Sequence, residues 1–342
     1  MTLTRTALVP TNEAEWLGFR TKDITSTEAA ALFGAGTYCK TPYELYHRKT
    51  GAIADDFEGN ERTRWGNRLE APIAFGVAED LGLIVEPFKT YIRIEEARMG
   101  ASFDFRIVGL AENFTGDETY RDLFRQHGHG IMEVKNVDGL QFKRTWIDDG
   151  ETIEAPLHIE FQVQHQLEVA DLNWSIIAPL VGGNTPRPIF RLRDRSTGEA
   201  LRAKCIDMWT RIATNNPPAP DYTKDGDAIA EVYRENDGSA VDLTGNNRLA
   251  ELCRLYKAAG ADEKDAKDRK SAAKAEIITI IKRAKSIAYA DGKISAGTNK
   301  PTFRAYVRDG YEKITITLTD IPEAKIEAAV PAYRNVRITE AA

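Results

Sequence analysis

Apolar residues at Trp65, Leu69, Ile73 and Val77 recur at every fourth position, the period of one helical face, and predict a helix over about 61–81 with that stripe turned inward. Glu70 adjoins the stripe without belonging to its centre. The segments 84–87, 90–94, 99–109 and 130–136 are instead rich in β-branched and aromatic residues and predict strands. A helix over 156–170 follows, and strands over 173–181 and 188–193 complete the sheet. Upstream, 26–34 predicts a helix with Thr25 or Ser26 as its cap and Glu28 in its first turn. Thr41-Pro42 opens another, since proline suits a first turn. Helices interleaved with strands predict an α/β class with a central mixed sheet flanked by helices.

The clearest linker is Asn215-Asn216-Pro217-Pro218-Ala219-Pro220. It divides the chain into a domain over 1–215, a linker over 216–243 and an extension over 244–342. In the extension, 244–284 predicts one long helix or a hairpin broken near Gly260. Leu252, Ala259, Ala266, Ala273 and Ile280 repeat every seven residues; Leu249, Tyr256, Ile277 and Ala284 form a second seam that Glu263 and Lys270 interrupt. That pattern predicts packing against another helix. Short strands are predicted beyond it, over 301–307 and 313–318.

The residues that carry chemistry are Asp104, Glu133-Val134-Lys135 and the stretch Trp65-Gly66-Asn67-Arg68-Leu69-Glu70. Alternation along a strand puts Glu133 and Lys135 on one face while Val134 points into the core. Burying an unpaired acid and lysine there would be costly. An antiparallel neighbour over 99–108 would bring Asp104 opposite Glu133 after a loop over 120–130. Acids that converge on one point repel unless a cation sits between them, and hard oxygen ligands suit Mg²⁺ or Mn²⁺.

At these residues the chain resembles the lambda exonuclease or YqaJ-type viral recombinases of the PD-(D/E)xK nuclease superfamily. Trp16-Leu17-Gly18-Phe19-Arg20 and Ile24-Thr25-Ser26-Thr27-Glu28 resemble the opening block of that family, and Trp65-Gly66 with Glu70 its WG…E helix. Asp104 stands at the PDG aspartate, Glu133-Val134-Lys135 at the ELK strand and Gln162-Val163-Gln164 at the QVQ helix. Phe103 and Phe105 depart from the family's proline and glycine. The resemblance implies a restriction-endonuclease-like core with a C-terminal helical and short-strand extension. It implies that Asp104, Glu133 and the Val134 carbonyl hold the metal with Glu70 in support, that Lys135 serves the attacking water, and that Arg20 and Thr27 hold a 5′ phosphate. It also implies a 5′→3′ exonuclease on double-stranded DNA ends that leaves 3′ single strands for phage-type recombination, a ring-shaped homo-oligomer, commonly a trimer, and a single-strand annealing protein as partner.

Residues two apart on a helix diverge by about 200°, so Gln162 and Gln164 cannot both face the site, and Gln164 is expected there. His165 is read as structural. His127-Gly128-His129 has no further Cys or His partners and is read as loop, not as a zinc site.

Charge changes this picture only in part. The 342 residues carry a net charge of −6, which opposes bulk attraction to DNA. Local basic clusters remain at Arg62, Arg64 and Arg68, at Lys143 and Arg144, and at Arg187, Arg191, Arg193 and Arg195. Cys39, Cys205 and Cys253 are far apart and form no ligand pattern, which fits a reducing cytoplasm. No apolar run reaches membrane-spanning length, no signal-peptide core is present, and no phosphate-cradling glycine loop implies an ATP-driven motor. Two alternatives stay open: an endonuclease using the same residues, and a non-catalytic DNA-binding recombination scaffold.

Overall fold

The structure is a computed structural model that describes residues 3–54, 59–150, 152–235, 239–290, 292–298 and 334–340. It divides into two compact units, Met1–Asp237 and Gly238–Ala342.

The first unit opens with β1 (Arg5–Leu8), α1 (Glu13–Lys22) and β2 (Ile24–Thr25), followed by a 3-10 turn (Ala29–Phe33). Next come α2 (Pro42–Lys49), α3 (Glu61–Asp80), β3 (Leu83–Pro87), β4 (Tyr91–Ile94), β5 (Met99–Ala101) and β6 (Phe105–Leu110). The chain continues through α4 (Thr119–His127), β7 (Gly130–Val137), α5 (Gly139–Thr145), β8 (Ile147–Asp148) and β9 (Ile153–Glu154). It ends with α6 (Leu157–Ala170), β10 (Trp174–Val181), β11 (Thr185–Pro186), β12 (Ile189–Leu192), α7 (Arg195–Ala213) and α8 (Gly226–Val232).

The central sheet is mixed, in the order β11-β10-β7-β6-β3 with β12 also on β10. β7 and β10 run parallel and are joined through α6, whereas β6 lies antiparallel to β7. β1, β4, β5 and β2 make a smaller sheet. Alternation on β7 sends Met132 and Val134 into a cluster with Ile73 and Val77 of α3. Ile131 points the other way, against Val163 and Leu167 of α6. The sheet is thus covered by helices on both faces, as the sequence predicts.

Gly130 shows how tightly this sandwich closes. A Cβ there would lie 2.6 Å from the indole of Trp174, whose Nε1 donates to the Gly128 carbonyl at 3.0 Å.

Several local expectations change. The single strand expected over 99–109 is two, β5 and β6, in different sheets; Phe103 stacks on Phe88 at 4.5 Å and Phe105 packs edge-on to Phe75 at 5.5 Å, so two aromatic anchors hold a bend at Asp104. The loop expected over 120–130 is largely α4, which buries Leu123. The helix expected over 26–34 is the short 3-10 turn, because the Glu28 carboxylate turns back onto Thr25 N and Oγ1, each at 2.8 Å. The expected linker over 216–243 contains α8, whose Ala228 packs with Tyr43 and Ile53. Thr41 Oγ1 donates to Asp225 just before it, at 2.5 Å.

In the second unit α9 (Asn247–Ile281) runs unbroken through Gly260. β13 (Ser286–Tyr289), β14 (Gly292–Thr298) and β15 (Arg334–Glu340) form an antiparallel sheet. The strands expected over 301–307 and 313–318 lie outside the described residues.

Two buried groups make the fold sensitive to substitution and pH. Glu168 is 1% exposed and receives Arg193 at 2.8 Å and also Arg202. Glu168→Ala would remove the buried carboxylate shared by Arg193 and Arg202, leaving Arg193 only Asp171, and is expected to cost about 3–5 kcal/mol, read as a lowered urea midpoint. Burial pushes the His165 imidazole down to about 3. An unfolded histidine titrates near 6.5, so this group's stability is present above that value and is lost as pH falls. Between pH 6.5 and 5 the loss should be about 2 kcal/mol greater in the wild type than in His165→Leu, by urea unfolding at both pH values.

Candidate active site

β6 pairs with β7 only from Phe105 opposite Met132 to Ile107 opposite Gly130. Beyond Met132 the edge of β7 that faces β6 has no strand beside it among the described residues, while its other edge continues along β10 to Val137. Asp104 fills the first step of that gap. It stands outside the ladder, and its Oδ2 accepts the Val134 N–H at 2.8 Å. A residue's N–H and C=O leave a strand on the same side, so the Val134 carbonyl is turned toward the same gap.

Glu133 and Lys135 share the face of β7 that looks toward α6. Glu133 is 2% exposed. Its Oε1 receives Lys135 Nζ at 2.5 Å and Gln162 Nε2 at 2.5 Å, and its Oε2 receives Gln166 Nε2 at 2.7 Å. Lys135 Nζ also donates to Gln162 Oε1 at 3.2 Å. Gln162 and Gln166 lie one helical turn apart on α6 and present one face to the acid.

Gln164 is elsewhere. Its Nε2 donates to the Leu192 carbonyl at 2.9 Å and its Oε1 accepts Asp194 N at 2.8 Å, so it ties β12 and the start of α7 to α6. The expectation for Gln164 is therefore corrected: Gln162 faces the site, with Gln166 beside it. The spacing of i and i+4 could have flagged Gln166 as the partner of Gln162.

The acids act on one another. Burial first, then the charge of Glu133, holds the Asp104 carboxyl well above the usual carboxylate range; Lys135 and the Val134 N–H oppose this and Glu70 adds to it. Glu70, on α3, is raised by burial and then by Glu133, with Lys135 opposing. Burial works against the Lys135 ammonium, yet Glu133, Asp104 and Glu70 together carry it upward. The four predicted residues are thus gathered into one electrostatic unit. His158, which the sequence reading did not single out, precedes Gln162 by one turn and is lowered by burial and then by Lys135.

Among the described residues no three acid or histidine side chains stand close enough to ligate one ion as arranged. Both oxygens of Glu133 are engaged by Lys135 and the two glutamines, so a cation would take the place of those contacts. The donor set suits one: carboxylates, an outward carbonyl, and the buried Gln166 Oε1, which has no hydrogen-bond partner. His129 Nδ1 lies 2.7 Å from Arg106 Nη2.

The structure also brings Arg20 and Thr27 together. Arg20 Nη2 donates to Thr27 Oγ1 at 3.3 Å, and its guanidinium lies 4.6 Å from the Trp16 ring centroid. Lys49 fixes the local backbone by donating to the carbonyls of Arg20 and Asp23. Trp16 Nε1 donates to Ser102 Oγ at 2.8 Å, and the Ser102 carbonyl accepts Gln166 Nε2 at 3.2 Å. Ser102, which the sequence reading missed, thereby connects the Arg20 pocket to the amide that holds Glu133.

Of the basic clusters, Arg187 is paired with Asp148, Arg191 with Glu160 and Arg193 with Glu168 and Asp171. These arginines brace the sheet, and their carboxylate partners lie too far away in sequence to be seen in a local charge count. Arg62 and Arg68 have no ion-pair partner among the described residues. No described helix is long and apolar enough to cross a membrane.

Several known proteins are similar to this chain. A Bacillus subtilis (strain 168) protein described as uncharacterized protein YqaJ is 26% identical over 243 residues, covering 68% of each chain. An alkaline exonuclease (LHK-Exo) from Laribacter hongkongensis is similar in structure at 17% identity and a TM-score of 0.45, over 64% of this chain and 99% of that one. A phage-related exonuclease from Haemophilus somnus 129PT is similar at 11% identity and a TM-score of 0.33, over 61% of this chain and 91% of that one. The family model for the YqaJ-like viral recombinase domain matches residues 15–173, a span that contains Arg20, Thr27, Glu70, Asp104, Glu133, Lys135 and Gln162.

Proposed function

We propose that this protein is a Mg²⁺-dependent 5′→3′ exonuclease on double-stranded DNA, acting in phage-type recombination. The observation that carries the reading is the placement of Glu133 and Lys135 on one strand face beside Asp104, whose carboxylate binds the intervening Val134 N–H. The match of the YqaJ-like viral recombinase domain model to residues 15–173 supports the same reading.

Asp104, Glu133 and the Val134 carbonyl would hold one or two Mg²⁺ ions, or Mn²⁺, with Glu70 in support. Bound there, the metal would polarise the phosphate and stabilise the attacking and leaving oxygens. The chain's own groups do the rest. Lys135, held as an ammonium by the surrounding acids, orients the attacking water and offsets charge that builds on the phosphate oxygens. Gln162 holds both Glu133 and Lys135 and so fixes their mutual orientation. Arg20 and Thr27 form a cationic and hydroxyl-lined pocket that suits a terminal 5′ phosphate. Removal of the 5′ strand leaves a 3′ tail, the substrate of a single-strand annealing protein. We place the enzyme in the cytoplasm of a bacterial host, as a phage or mobile-element protein in a homo-oligomeric, trimeric ring.

Digestion of end-labelled linear duplex tests the direction and the ends. Loss of the 5′ strand with Mg²⁺ and none with EDTA is expected, with closed circles spared; cutting of the circle would instead assign an endonuclease. Arg20→Ala should reduce the preference for a 5′-phosphate over a 5′-hydroxyl end by about tenfold.

Substitution separates the site from its scaffold. Lys135→Ala is expected to lower the cleavage rate by about 100-fold or more while DNA binding persists. Gln162→Ala should cost about 10–100-fold in rate. Gln164→Ala should cost mainly stability; equal catalytic losses in the two glutamine variants would count against the placement of Gln162.

A further inference from the structure

The heptad pattern of the extension predicts a partner helix, yet within the second unit α9 is the only helix among the described residues, and its apolar seam is bare. Every residue from Asn247 to Glu276 is exposed, and Tyr256 and Ile280 keep 83% and 71% of their surface in contact with water. Burial begins only at Ile277, and Ile281 is the one buried residue of the helix. Helices in proteins draw most of their stability from a packed face, and α9 has none until its seam is covered.

The two rows of the seam are Leu249, Tyr256, Glu263, Lys270 and Ile277, and Leu252, Ala259, Ala266, Ala273 and Ile280. Glu263 and Lys270 stand in the middle of the first row, and neither has an ion-pair partner among the described residues. Arg248 and Arg269, by contrast, are paired within the helix to Glu251 and Asp265.

In a parallel pair in register each row meets itself. Glu263 would then face Glu263, Lys270 would face Lys270, and Ala259, Ala266 and Ala273 would each face only alanine. Reversing one helix sets the first row against the second. With both helices centred between Lys264 and Asp265, the middle of α9, Leu249 meets Ile280, Leu252 meets Ile277 and Tyr256 meets Ala273. Ala259 meets the stem of Lys270, and Glu263 meets Ala266. Each alanine is thus filled by a larger side chain, and Lys270 of one copy comes within a turn of Glu263 of the other. The flanks agree, since Asp262 of one copy lies beside Arg269 of the other.

We propose that α9 pairs antiparallel with α9 of a second copy of this chain through this seam. The pairing is self-complementary, so the contact between Glu263 and Lys270 is made twice. A partner of one charge sign suits the face poorly, because acid and base stand side by side on it. A two-fold contact cannot close a three-membered ring, so this interface is separate from the ring proposed above and does not rest on the nuclease reading. It joins chains, or rings of chains, in pairs through the extension.

Charge exchange in the full-length chain, read by sedimentation equilibrium, tests the pairing. The wild type should dissociate on dilution into species of half the mass. Lys270→Glu sets a second acid beside Glu263 and should weaken association about tenfold or more, as should Glu263→Lys. The two substitutions together should restore the wild-type value, which excludes misfolding as the cause of the single losses. Orientation is read from disulfides in a Cys253→Ser background. In the antiparallel pair the two copies of position 259 lie about 16 Å apart along the axis, too far to bridge. Oxidising a mixture of Ala259→Cys and Lys270→Cys chains that carry different tags should therefore link one variant to the other and neither to itself. Links of each variant to itself would assign a parallel pair and overturn the proposal. A mass that neither single substitution changes, or a loss that the double exchange does not restore, would overturn it as well.

Discussion

A carboxylate held almost wholly out of water sets the terms for this structure. Glu133 is accommodated inside the sheet with Lys135, Gln162 and Gln166 all donating to it. A buried polar group without such donors would carry the full cost of its lost hydration. Each donor requires a piece of architecture: Lys135 needs the strand's alternation, and the glutamines need α6 laid across β7 with one face toward the acid. The parallel pairing of β7 and β10, with α6 in the crossover between them, supplies that placement. Asp104 then closes the site from the other edge, where the break between β5 and β6 turns its side chain onto the Val134 N–H.

The site is held together by charges that also oppose one another. Asp104 and Glu70 are both raised by burial and by Glu133, so the cluster without a cation relies on the ammonium of Lys135 for compensation. Such an arrangement favours whatever brings more positive charge. It also explains why Lys135 occupies Glu133 so closely here; a divalent ion would have to displace the Lys135 and glutamine contacts rather than fill a finished cage.

The sequence made the strand that carries Glu133 and Lys135 more legible than its surroundings. Strand alternation placed Glu133 and Lys135 on one face, because a period of two leaves no other choice once Val134 is inward. Helix α6 offered no such decision: polar residues at 162, 164 and 166 lie on opposing faces, and only the packing of α6 against β7 selects 162 and 166. The break at 102–104 was hidden because Phe103 and Phe105 continue an apolar rhythm that reads as one strand. Trp65, which is 48% exposed, was read as core because its spacing is that of the stripe; where the sheet beneath α3 ends is written in other segments. The arginines at 187, 191 and 193 read as a basic patch, since Asp148, Glu160 and Glu168 lie too distant in sequence to be counted against them.

The central claim is that Asp104, Glu133 and the Val134 carbonyl together form a divalent cation site. Calorimetric titration of Mn²⁺ into the protein without DNA addresses it directly, comparing wild type with Asp104→Asn and with Asp148→Asn as a control outside the site. The account predicts binding by the wild type and the control, weakened by about tenfold or more in Asp104→Asn. No binding by the wild type, or equal binding by all three, would contradict it.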